Sequence, residues 1–239
     1  MINREMDAYR RLAMKDVARW VLSAGLAMAV AGLFGACGSD GDGPLENKNP
    51  GDNDLNVVVA FGDSLTEGSD CDCVPYPPRL ASLIGKTVHN EGEEGSKAED
   101  NVGRTQDAIN AHHPAYMIIL YGVNDIIRGN GVDSILPALN EMVSICKRNS
   151  VVPVLMTYPV LTYDHEFFAG GALALNAGIR AIAKAEGIRC VDLEKEFSAG
   201  DDPAFPGWPL PDYALYEPDG LHPNDLGTQI IAMACADLF

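Results

Sequence analysis

From residue 56 onward, short continuous apolar runs rich in β-branched residues alternate with longer stretches whose apolar positions recur every three or four residues. The first pattern fits a strand buried on both faces, and the second fits an amphipathic helix. Strands are therefore expected at residues 56–61, 87–90, 116–121, 152–157 and 188–193. Helices are expected at 77–84, 97–111, 132–149, 171–186 and 224–238. The second of these carries Ala98, Val102, Ala108 and Ile109 at helical spacing, and the third Ile135, Leu139, Met142, Val143 and Cys146. Strands that alternate with helices imply right-handed crossovers and a parallel sheet covered on both faces. The expected fold class is α/β, with five parallel strands in a flavodoxin-like order, 2-1-3-4-5. No internal repeat is visible.

The first 54 residues follow neither pattern. Arg4, Arg10, Arg11, Lys15 and Arg19 precede a nearly uncharged run at 20–36 that ends at Cys37. A basic stretch followed by a short apolar one reads as an export signal. Leu33-Phe34-Gly35-Ala36-Cys37 resembles a bacterial lipoprotein signal, in which the cysteine becomes the lipidated first residue. An uncleaved anchor helix is the competing reading, and on either one the domain is exported to the cell envelope. Residues 38–54 are dominated by Gly, Asp, Asn, Ser and Pro, a composition that buries no core and suits a flexible tether. The chain thus divides into an export signal (1–37), a linker (38–54) and one domain (55–239).

Charge narrows the partners. A formal charge of −17 leaves no basic patch to neutralise phosphates, which argues against nucleic acid, polyanionic substrates and electrostatic docking on anionic lipid. Membrane contact is expected through a lipid on Cys37. Among the six cysteines, Cys71 and Cys73 stand two apart, but no matching pair lies downstream to complete a metal site. A disulfide or plain loop cysteines suit them better.

Four polar signatures fall after the predicted strands. Gly62-Asp63-Ser64-Leu65 follows the first, Asn90-Glu91-Gly92-Glu93-Glu94-Gly95 the second, Gly122-Val123-Asn124-Asp125 the third, and Asp219-Gly220-Leu221-His222-Pro223 the last. In an open sheet all four lie beyond the carboxyl ends of the strands, where ligands bind. Ser64 is a candidate nucleophile, although Gly-Asp-Ser alone is ordinary turn chemistry. His222 is the candidate base, oriented by Asp219 three residues earlier in a turn. His165 also follows a strand and could approach the same edge. The main-chain N–H of Ser64, a glycine free of Cβ obstruction and the Asn124 amide would receive a developing oxyanion. Both Gly92 and Gly95 are open for the glycine, and spacing favours Gly95. Glu91, Glu93 and Glu94 surround it, and carboxylates so placed disfavour an oxyanion unless they turn away.

Taken in order, these blocks resemble those of the SGNH, or GDSL, hydrolase family across 61–222. The resemblance implies a three-layer α/β/α sandwich and a carboxylic-ester hydrolase without metal or organic cofactor. It maps Ser64, Asp219 and His222 to the triad, and Ser64, Gly95 and Asn124 to the oxyanion hole. Residues 194–218 carry five prolines with Phe197, Phe205, Trp208, Tyr213 and Tyr216. They are read either as a pocket wall or as aromatics packed on the domain. The substrate classes left open are fatty-acyl or aryl esters, as for an arylesterase or a lysophospholipase-like enzyme, and acetylated carbohydrate, where Trp208 would stack on a sugar. From another class, a catalytically inactive carbohydrate-binding lipoprotein keeps the same fold.

Overall fold

The computed structural model describes residues 43–239. The expected export signal and Cys37 lie outside the described residues.

Strand β1 (Asp54–Gly62) leads through a one-turn helix α1 (Ser64–Glu67) to α2 (Tyr76–Ile84) and β2 (Thr87–Gly92). Then come α3 (Ala98–His112), β3 (Pro114–Leu120), the short α4 (Val123–Ile127), α5 (Val132–Arg148) and β4 (Val152–Met156). A 3-10 segment (Tyr163–Phe168) enters α6 (Ala169–Glu186), followed by β5 (Arg189–Val191) and α7 (Leu193–Glu196). A small hairpin, β6 (Ser198–Asp201) with β7 (Pro209–Pro211), precedes the closing helix α8 (Asp225–Ala236).

The five main strands pair in parallel in the order β2-β1-β3-β4-β5. This is the expected order. Its cause is visible in the burial. Every residue of β3 is buried, as a strand covered on both faces requires, and β3 sits between β1 and β4. Helices α3, α5 and α6 pack side by side in one layer, and α2 packs against α8 in the other. Each fully buried aliphatic side chain of the sheet contributes about 1.5–3 kcal/mol to stability.

Three expectations change. Residues 43–53, assigned to a free linker, are tied to the domain. Leu45 packs on the core and its N–H donates to Leu238 O at 2.5 Å, while Asn47 Nδ2 donates to Ala115 O and Ser150 O at 3.0 and 2.7 Å. Asn53 Nδ2 reaches Asn149 O at 2.8 Å, and an Arg189 guanidinium donates to Gly43 O at 3.0 Å. The polar residues that suggested solvent instead satisfy carbonyls at the amino ends of the strands. Second, the strand expected at 188–193 ends at Val191, and its last residues turn into α7. Third, residues 194–218, for which no element was expected, include the β6–β7 hairpin and a 3-10 turn at Tyr213–Leu215. Phe197, Trp208 and Tyr216 are buried there, so packing explains those rings. Trp208 presents no face for stacking on a sugar.

Cys71 and Cys73 form a disulfide, whereas Cys146 and Cys235 are buried thiols that lie against the sulfurs of Met117 and Met156.

Candidate active site

Each functional side chain leaves the carboxyl end of a strand, or the loop before α8, through a local device its sequence specifies. At the end of β1, Asp63 caps α1: its Oδ1 accepts from Leu65 N at 3.1 Å. The cap turns the chain at once into a helix and leaves Ser64 as its first residue, with its side chain on the sheet's rim. Asp63 is fully buried, and its Oδ2 accepts from Tyr158 Oη at 2.5 Å. Burial raises its carboxyl to about 6, against the lowering pull of the Tyr158 and Leu65 hydrogen bonds and of His222.

The loop before α8 is folded by Asp219. Its Oδ1 accepts from the main-chain N–H groups of Leu221 and His222, both at 3.0 Å, and closes an Asx-type turn. Its Oδ2 is thereby aimed at His222 Nδ1, 2.5 Å away. Partial burial would raise the Asp219 carboxyl, but the hydrogen bonds from His222 and these two amides outweigh it and hold it below the usual range. The other ring nitrogen, His222 Nε2, lies 2.9 Å from Ser64 Oγ, across 158 residues of sequence. With Nδ1 donating to the carboxylate, Nε2 is the acceptor for the serine proton. Pro223 and Asn224 end the loop, and Asn224 caps α8 by accepting from Leu226 N and Gly227 N.

The loop is also held from outside. Thr162 N donates to Gly220 O at 2.9 Å, and His165 Nδ1 meets Asp219 O at 2.8 Å. Gly220 has φ +75°, and a Cβ there would stand 2.0 Å from Thr162 O. His165 therefore supports the loop by its main chain, an arrangement different from the direct approach to the edge considered above.

On the β2 side, the two glycines separate cleanly. Gly92 N donates to Asn90 Oδ1 at 3.0 Å, so its N–H is already used. Gly95 lies at φ +67°, in the left-handed region, and among the described residues neither its N–H nor that of Ser64 meets an acceptor. Beside it, Asn124 Nδ2 donates to Ser96 O at 3.0 Å, which fixes the amide and leaves its second N–H available. Asn124 sits in the first turn of α4. The buried Asp125 anchors this turn, since its Oδ2 accepts from Ala98 N at 2.9 Å.

The glutamates around Gly95 are largely turned away. Glu91 bonds His112 Nε2 at 2.6 Å and Arg104 at 3.3 Å, and Glu93 reaches Arg104 at 3.0 Å. Arg104 also donates to Tyr121 Oη at 3.1 Å and lies over the Phe61 ring, so it binds the ends of β1, β2 and β3 together. Glu94 is exposed.

Sequence reasoning thus placed Ser64, Asp219, His222, Gly95 and Asn124 at one rim, where the structure also has them. Missing from it were Tyr158, Thr162, Arg104 and the structural part of His165. Tyr158 stands 95 residues from Asp63, and no local pattern marks such a pair.

A model of the GDSL-like Lipase/Acylhydrolase family matches residues 60–230. The chain is 27% identical to the uncharacterized lipoprotein YqeF of Bacillus subtilis (strain 168), over 73% of this chain and 85% of that one. Its fold is similar to that of a protein from Desulfitobacterium hafniense DCB-2 assigned to the G-D-S-L lipolytic family, with TM-score 0.65, 20% identity, and 77% and 99% of the two chains covered. It is also similar to a mutant of Axe2, an acetyl-xylooligosaccharide esterase from Geobacillus stearmophilus, with TM-score 0.59, 20% identity, and 77% and 93% covered.

Proposed function

Because the chain belongs to the GDSL-like lipase/acylhydrolase family, we propose that it hydrolyses carboxylic esters through an acyl-enzyme on Ser64. The observation that carries this reading is the unbroken hydrogen-bonded chain from Ser64 Oγ through His222 to Asp219, with contacts of 2.9 and 2.5 Å. As Ser64 Oγ attacks the ester carbonyl, its proton passes to His222 Nε2. Asp219 stabilises the imidazolium that forms. The carbonyl oxygen takes up negative charge and is received by Ser64 N, Gly95 N and Asn124 Nδ2. The imidazolium then protonates the departing alcohol. Water, deprotonated by His222, attacks the acyl carbon and releases the acid and the free serine.

An exported, lipid-anchored location is part of this proposal. Its supports are the sequence before Cys37 and the likeness to a lipoprotein. A narrower reading, removal of acetyl groups from carbohydrate, has two supports. One is the likeness to Axe2; the other is the pair of half-exposed rings Tyr163 and Tyr213, whose centroids lie 5.3 Å apart near the Asp219 loop.

The test is fluorophosphonate labelling beside an ester panel that varies acyl length and alcohol. Wild-type protein should label and turn over p-nitrophenyl acetate, and Ser64→Ala should do neither, with kcat lowered by about 10⁴-fold or more. Equal labelling of the two proteins would overturn the reading and favour the inactive binding protein. A sharp preference for acetylated xylo-oligosaccharide would select the narrower form.

A further inference from the structure

One charged group at the site has no part in the chemistry above. Asp70 Oδ2 lies 3.8 Å from His222 Nε2, the ring nitrogen that faces Ser64. The Asp70 side chain is 59% exposed, and among the described residues no lysine or arginine pairs with it. Its backbone is held at φ +56°, a conformation that aspartate tolerates better than most residues. The holding is local: Gly68 N and Ser69 N both donate to Ser64 O at 2.8 and 3.2 Å, and the Cys71–Cys73 disulfide closes the next turn. Past it, Val74 N donates to Asp225 Oδ1 at 3.3 Å, and Arg79 pairs with the same carboxylate. Asp225 is thus paired with Arg79, whereas the Asp70 carboxylate lies beside the imidazole.

We propose that Asp70 is a specificity-determining residue that favours esters whose alcohol half carries a positive charge close to the ester oxygen. The inference rests on the ester-hydrolase reading and refines it. His222 Nε2 gives its proton to the leaving oxygen, so that oxygen must come within hydrogen-bond reach of Nε2. A substituent two carbons beyond the oxygen is then long enough to reach the Asp70 carboxylate, and a charge contact in partly wet surroundings changes affinity by about tenfold. The acyl half lies by the oxyanion donors, where the Arg128 guanidinium stands 3.3 Å from the point a Gly95 Cβ would occupy. A formal charge of −17 over the whole chain adds long-range attraction of the same sign. Anionic alcohols are disfavoured by both.

The experiment compares acetylcholine with its uncharged dimethylbutyl isostere, in which carbon replaces the ammonium nitrogen, with p-nitrophenyl acetate as the control. Wild-type protein at low ionic strength should prefer the cationic ester by about tenfold in kcat/KM, expressed mainly in KM, with the ratio shrinking as salt is added. Asp70→Asn should bring the ratio close to one. A ratio that is the same in wild type and Asp70→Asn overturns the inference. That includes the case in which both esters slow equally, which would assign Asp70 to the imidazolium instead. Turnover of the control with no preference sinks only the Asp70 proposal. Loss of serine-dependent turnover on all three esters sinks the parent reading and this one with it.

Discussion

His165 grips the main-chain oxygen of Asp219 through Nδ1 at 2.8 Å, from 54 residues away in sequence. A carbonyl accepts only, so Nδ1 carries the proton. Asp219, which bonds the His222 ring, is therefore itself held from behind, by a side chain on the 3-10 segment that follows β4. Replacing His165 by Ala should leave the fold intact and let the Asp219 turn drift. Misplacement of a catalytic group by about 1 Å costs of the order of a hundredfold. The expected loss is about 10- to 100-fold in kcat with KM little changed, partly restored in His165→Gln, whose amide can donate to the same oxygen. Steady-state kinetics on all three proteins checks this.

The same turn has no room at Gly220. A Cβ would stand 2.0 Å from Thr162 O and 2.9 Å from Tyr163 Cβ, at a φ of +75°. Gly220→Ala must displace either the turn or the segment against it. Loss of labelling by fluorophosphonate together with a fall of about 2 kcal/mol or more in urea stability is the expected outcome.

Asp63 links the site to pH. Its carboxyl is raised from 3.8 to about 6 in the fold, so between those values the folded protein holds a proton that the unfolded chain releases. Stability from this group is present below the lower value and is lost as pH rises to about 6. Two units correspond to up to about 3 kcal/mol. In Asp63→Asn the loss disappears, because Oδ1 can accept from Leu65 N while the amide donates to Tyr158. Urea titrations at pH 7 and pH 4 should show the variant gaining on wild type at the higher pH and losing that lead at the lower.

Asn124→Ala removes one proposed oxyanion donor and its bond to Ser96 O. Turnover should drop by about 10²- to 10³-fold while KM changes little. Urea stability should fall by about 1 kcal/mol for the lost hydrogen bond.

How much the chain disclosed in advance depended on whether a feature was local. Strands β1, β3 and β4 announce themselves because continuous burial demands continuous apolar runs, as in Tyr116 to Leu120. Ser64, Asn124 and the Asp219–His222 turn were legible because their neighbours are turn-forming residues with fixed spacing. Tyr158 and Asp63 meet only after the sheet has formed, so neither sequence neighbourhood carries a sign of the other. Spacing favoured Gly95 over Gly92, but that the Gly92 N–H is engaged by Asn90 is seen only in the folded chain. Residues 43–53 were misread for a related reason. Asn47 and Asn53 look solvent-seeking until the carbonyls of Ala115, Ser150 and Asn149 are brought beside them.

That docked stretch gives the molecule a polarity. Gly43, Leu45 and Asn47 are fastened at the amino ends of the strands, whereas Ser64 stands past the carboxyl end of β1. The nine residues of that strand separate the two by about 30 Å. The described chain thus enters the domain at the end opposite Ser64, so an attachment made through the preceding residues would leave the Ser64 rim unobstructed.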